Sequence, residues 1–108
     1  MIAPMHLPKL AALVVLMLWM QQARAGTPVA TATFNCKDGK SIAATFYADK
    51  VELKLSDGRS LTLPQAMSAS GARYANKDES FVFWNKGNTA FVTEGPAGEE
   101  TYSDCLTK

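Results

Sequence analysis

Polar and apolar residues exchange places at every second position through much of residues 31–105, in short runs separated by turn-forming dipeptides. This is the pattern of strands with one face buried. The clearest run is Lys50–Leu55, where Val51, Leu53 and Leu55 fall on one face and Lys50, Glu52 and Lys54 on the other. Ala32, Phe34 and Cys36 share a face of an earlier strand against Thr31, Thr33 and Asn35, and Ile42, Ala44 and Phe46 alternate with Ser41, Ala43, Thr45 and Tyr47. Further strands are expected at Leu61–Leu63, Ser80–Trp84, Thr89–Thr93 and Thr101–Cys105. Lys37–Lys40, Asp57-Gly58, Asn85–Asn88 and Gly95–Gly98 supply the hairpin turns between them. No segment beyond residue 25 sustains a helical period. So many short strands in so few residues predict an all-β fold, a small antiparallel β-barrel, because closure leaves no exposed sheet edges.

The interval from Leu63 to Ser80 breaks the rhythm. Pro64 is expected to interrupt a ladder, and Ser68-Ala69-Ser70-Gly71 offers nothing bulky to pack. Ala72, Tyr74 and Asn76 resume an alternating pattern before the polar turn Asn76–Glu79. Ser68–Gly71 therefore reads as the tip of a protruding loop, and such connections carry function more often than the strands they join.

The start of the chain belongs to a different class of segment. Lys9 precedes the apolar run Leu10–Met20, which is followed by Ala23-Arg24-Ala25, the small-x-small pattern of a signal-peptidase site. Residues 1–25 are expected to be a cleaved signal peptide, and residues 26–108 a single exported domain. The apolar run is short for a permanent membrane anchor. Removing 25 residues from 108 leaves 83; Lys9 and Arg24 go with the leader, so the 11 basic residues fall to 9 against 10 acidic ones, a net charge of about −1. That balance argues against a nucleic-acid partner. In an oxidising compartment Cys36 and Cys105 are the obvious disulfide pair. They close a loop of 69 residues, worth about 4 kcal/mol in the chain-entropy treatment. The alternative of a zinc site lacks the further ligands a tetrahedral centre needs, so no metal and no cofactor is expected.

Losing the leader also removes His6, the one histidine of the sequence, and with it the commonest general base. A nucleophilic Ser70 would have to be activated by a lysine such as Lys86, which sits in a turn open to water. Asp78-Glu79 and Glu99-Glu100 lie in turns and read as solvated surface rather than as paired catalytic carboxylates. No enzyme is expected. Trp84 lies in an apolar strand beside Phe83, where a tryptophan is more often core or partly buried wall than a platform for a sugar ring. It leaves open an alternative function as a periplasmic carbohydrate- or peptidoglycan-binding module. For the loop, small side chains suit entry into a narrow cleft, Gly71 allows a sharp turn, and serine hydroxyls donate to carboxylates, beside which a lysine from a second loop can form an ion pair.

Taken in order, Phe34-x-Cys36-x-Asp38-Gly39, Val51-x-Leu53 before Gly58, Ser68-Ala69-Ser70-Gly71-Ala72-Arg73-Tyr74, Phe83-Trp84-x-Lys86-Gly87-x-x-Ala90 and a final cysteine resemble the bacterial inhibitors of c-type lysozyme, membrane-bound and periplasmic. The resemblance implies a barrel of about eight strands and competitive, non-covalent inhibition of a protein partner, c-type lysozyme. It implies that Ser70 reaches the two catalytic carboxylates of lysozyme and that Lys86 pairs with one of them. The lysozyme-binding set it implies is Ser68, Ala69, Ser70, Gly71, Arg73, Tyr74, Lys86 and Gly87, with Gly71 shaping the loop and Tyr74 bracing it from the barrel. The leader carries no cysteine after a small-residue box, as a lipoprotein signal would. The expectation is therefore a free periplasmic protein without membrane attachment, monomer or homodimer.

Overall fold

A computed structural model describes residues 26–107, so the expected signal peptide, residues 1–25, lies outside the described residues. Eight strands follow one another: β1 (Ala30–Asn35), β2 (Ser41–Phe46), β3 (Lys50–Leu55), β4 (Ser60–Ala66), β5 (Ala72–Ala75), β6 (Phe81–Lys86), β7 (Thr89–Glu94) and β8 (Glu99–Thr107). Each pairs antiparallel with its neighbours in sequence, and β8 pairs with β1, so the sheet closes into an up-and-down barrel. The all-β barrel is the fold the alternation predicts. A 3-10 turn, Lys37–Gly39, joins β1 to β2.

Side chains of one parity fill the interior. Phe34, Ile42, Val51, Leu53, Leu63, Phe83, Val92 and Cys105 are almost wholly buried. An aromatic cluster crosses the barrel: Phe34 meets Phe83 edge-on at 5.9 Å, and Phe46, Tyr74 and Phe83 lie 6.1–6.3 Å apart. Such contacts contribute beyond area burial alone. Two seams are thin. Among the described residues, strands β1 and β8 share only the pairs Phe34↔Thr107 and Asn35↔Leu106, and β4 and β5 share only Gln65↔Tyr74 and Ala66↔Arg73. The Cys36–Cys105 disulfide continues the first seam one residue beyond its last pair and staples the barrel where its hydrogen-bonded closure is short.

Pro64 corrects one expectation. It does not interrupt a ladder but sits inside β4, opposite Lys50. The N–H of Gln65 donates to the Asp49 carbonyl on the β3 side at 2.9 Å. The nitrogen of Pro64 therefore faces β5, where pairing begins only at Gln65. A proline is tolerated where no ladder bond is missing. Strand β6 also runs on to Lys86, which leaves Gly87-Asn88 as a two-residue hairpin turn, and Asn76 ends up in a turn rather than in β5.

Because every strand reverses the chain, the connections alternate between the two ends. The turns around Asp38, Asp57-Gly58, Asn76–Ser80 and Gly95–Gly98 share one end. The β2–β3 connection, the 67–71 loop, the Gly87-Asn88 turn and both termini of the described chain share the other.

Candidate functional site

The structure brings the two sequence motifs together, and Gly71 is the point of contact. Its φ is +72°, a conformation that favours glycine, and a Cβ placed on it would stand 2.8 Å from the backbone oxygen of Asn85 and 3.2 Å from Cβ of Lys86. Only a residue without a side chain allows this approach. The 67–71 loop therefore lies against the end of β6, and Lys86 is fixed beside it.

Within the loop the two serines differ. The hydroxyl of Ser68 donates to the carbonyl of Ser70 at 2.7 Å and accepts from the Ser70 N–H at 3.3 Å, which ties the tip into a local turn. Ser70 is exposed, and its own hydroxyl makes no hydrogen bond among the described residues. Ala69 and Gly71 are exposed as well. The neighbouring hairpin is held as firmly: the Asn85 amide donates to the carbonyls of Gly87 and Thr89 at 3.2 and 3.1 Å, and the Thr89 hydroxyl donates to the Lys86 carbonyl at 2.8 Å. Gly87 turns the chain at φ +58°. Lys86 projects from this turn, exposed and without an ion pair among the described residues.

Two members of the predicted set are occupied elsewhere. Tyr74 points into the barrel, only 6% exposed, and packs on Phe46 and Phe83; burial pushes its phenol above its ordinary range. Arg73 turns outward along the barrel wall, where its guanidinium bonds Glu79 at 2.6 Å and lies over the Trp84 ring at 5.3 Å. On the β7 side Phe91 stacks on the same indole at 5.7 Å. Trp84 is thus on the outer wall, half-buried, with a neighbour on each flank. That leaves little of its ring for a sugar, so the glycan-binding alternative gains nothing from it.

Ser70 and Lys86 share no hydrogen bond, and an open groove of about 650 Å³ beside the Gly87-Asn88 turn is lined by residues such as Thr31, Phe46, Asn85 and Asn88, none of them titratable. Among the described residues no group of acidic, cysteine or histidine side chains is placed to hold a metal. What the site offers is a slim, preorganised protrusion ending in a donor hydroxyl, with a cation next to it.

Sequence reasoning missed three features: the different tasks of Ser68 and Ser70, the bracing role of Asn85 and Thr89, and Met67, which stands 93% exposed immediately before the loop tip. The asparagine and threonine flanking a Lys-Gly turn were the available signal for the second.

A family model described as membrane-bound lysozyme-inhibitor of c-type lysozyme matches residues 34–101, which takes in the loop, the Lys86 turn and most of the barrel. The chain belongs to this family of lysozyme inhibitors. One curated relative, the membrane-bound lysozyme inhibitor of C-type lysozyme from Yersinia enterocolitica, is 61% identical over 44 residues, which cover 41% of this chain and 35% of the relative. The match thus spans about a third of that relative's length. No solved structure matches the chain.

Proposed function

We propose that the chain is an exported inhibitor of c-type lysozyme that seats the Ser68–Gly71 loop and Lys86 in the lysozyme cleft. The observation that carries this reading is the approach of Gly71 to Lys86. It draws the loop that carries Ser70 against Lys86, and neither the Ser70 hydroxyl nor the Lys86 ammonium has a side-chain partner among the described residues; family membership names the target class. Lysozyme cleaves its substrate with a pair of carboxyl groups, one acting as acid and then base and the other as nucleophile. A donor hydroxyl from Ser70 and the charge of Lys86 satisfy those carboxyls in place of substrate, and charge-assisted bonds of this type are the strong ones in a desolvated cleft. The loop is held by its own Ser68 bond and by Gly71 before binding, so little ordering entropy opposes docking.

In the same reading Tyr74 anchors the start of β5 from within, Arg73 fixes the outer wall, and Ala69 and Gly87 keep the protrusion narrow. Residues 1–25 act as the export signal, which places the 26–108 domain in the periplasm, where the disulfide forms and incoming lysozyme is met. The test is to follow lysis of a cell-wall suspension by c-type lysozyme while the mature domain is titrated in. Inhibition that is relieved by added substrate supports the proposal. Undiminished lysis at large excess of the domain overturns it.

A further inference from the structure

Three large apolar side chains are left exposed among the described residues. Val29 stands 67% exposed at the foot of β1, Leu106 54% exposed near the last residue of β8, and Met67 93% exposed directly before Ser68. Scattered exposed apolar residues are ordinary, but the most exposed of these directly adjoins the loop tip. Nothing in the barrel's folding calls for a methionine at position 67. Its neighbours Gln65, Ala66 and Ser68 are polar or small, and its side chain is almost entirely in water. A thioether on an unbranched chain adapts to an irregular apolar surface, which is the use methionine finds at binding faces.

We infer that Met67 is an apolar anchor that lies against the wall of the partner's cleft when the loop enters, and that oxidation of its sulfur by a peroxide weakens inhibition. The inference rests on the proposed lysozyme-inhibitor function. In the oxidation the thioether sulfur gives up an electron pair to one peroxide oxygen, the O–O bond breaks, a sulfoxide S–O bond forms and water leaves. The sulfoxide is polar, so burying it against an apolar wall costs free energy where the thioether gained it. The chain is well arranged for this to act at one place. The other methionines, Met1, Met5, Met17 and Met20, all lie within the expected leader, and the described residues contain no free cysteine.

The experiment compares the mature wild-type domain with Met67→Gln and Met67→Leu in the lysis assay, each before and after treatment with hydrogen peroxide that is removed before mixing. Intact mass reports the added oxygen, and thermal unfolding checks that the fold is unchanged. Met67→Gln and oxidised wild type should inhibit about tenfold or more weakly, mainly through faster dissociation. Met67→Leu should inhibit like untreated wild type and ignore peroxide, and a methionine sulfoxide reductase should restore the oxidised protein. Unchanged inhibition by Met67→Gln, or equal peroxide sensitivity in Met67→Leu, overturns the inference while leaving the inhibitor function standing. Failure of untreated wild type to inhibit overturns that function itself, and this inference with it.

Discussion

At one end of the barrel Arg59 is clamped between Asp57 at 2.8 Å and Glu94 at 2.8 and 3.1 Å, Thr101 donates its hydroxyl to Glu94 at 2.6 Å, and Lys40 reaches the Thr101 carbonyl at 2.6 Å. At the other end the Ser70 hydroxyl and the Lys86 ammonium meet no partner among the described residues, although the backbone that carries them is bonded in place by Ser68, Asn85 and Thr89. Both ends are well ordered by hydrogen bonds. They differ in where the strongest polar groups are spent: on the fold at the first, and on no other described residue at the second. A group that is held in position and left unsatisfied is what a binding surface keeps in reserve. The comparison assigns stability to the Arg59 end and affinity to the loop end, and substitutions should separate the two.

The largest effect should come from Lys86→Ala. Removing one member of a charge pair that is buried on binding leaves its carboxylate partner unmatched, and losses of about 100-fold in inhibition are typical. Thermal stability should stay where it is, because the ammonium has no ion pair among the described residues. Ser70→Ala should follow in the same direction with a loss of about tenfold. Inhibition constants and unfolding curves measured on the same samples check both, and a fall in melting temperature matching the fall in inhibition would erase the distinction between the ends. Gly71→Ala should cross it. The new Cβ meets the Asn85 oxygen at 2.8 Å in a left-handed conformation, so the loop must move away from Lys86. We expect a stability loss of about 2 kcal/mol by denaturant unfolding together with weakened inhibition.

How far these ends were legible beforehand depends on the range of the interactions. Strand β3 announces itself because Lys50–Leu55 alternates without a fault, and local pattern suffices for the barrel as a whole. Gly71 was readable as a turn, yet its tight fit against Asn85 belongs to tertiary approach and has no local trace. Pro64 misled because tolerance of a proline depends on which neighbour its nitrogen faces, a matter settled by the late start of the β4–β5 pairing. The Arg59–Glu94 clamp joins residues 35 positions apart, and nothing near either one foretells it. Ser68 and Ser70 look alike in sequence, and only loop closure decides which turns inward.

Glu94→Gln sharpens the comparison from the opposite end. The Arg59 guanidinium, hydrogen-bonded to Glu94, holds its carboxyl below the ordinary value of 4.5, with the Thr101 hydroxyl adding to the effect. A carboxyl depressed in the folded state contributes stability that is fully present above its unfolded value and is lost as pH falls through the lower folded one. At neutral pH the substitution should cost about 1 kcal/mol, a figure kept small because Arg59 is partly open to solvent and screening applies. The gap between wild type and Glu94→Gln should close as the pH is lowered from 5 toward 3 in denaturant titrations. Inhibition at neutral pH should be unaltered, since the proposed interface lies at the other end.

The smallest expected effect tests the division of labour between the two serines. Ser68 is half-buried and its hydroxyl is committed to the Ser70 backbone in both directions, so Ser68→Ala removes a constraint on the loop rather than a contact with the partner. A net hydrogen bond of this type is worth about 1 kcal/mol, so inhibition should weaken only about fivefold. Ser68→Thr keeps the hydroxyl and should restore it, because a threonine closes the same local turn. At position 70 the order should reverse: Ser70→Thr places a methyl group at the leading point of the protrusion and should inhibit no better than Ser70→Ala. If Ser68→Ala and Ser70→Ala weakened inhibition equally and threonine rescued neither, both serines would be touching the partner, and the loop would owe its shape to Gly71 alone.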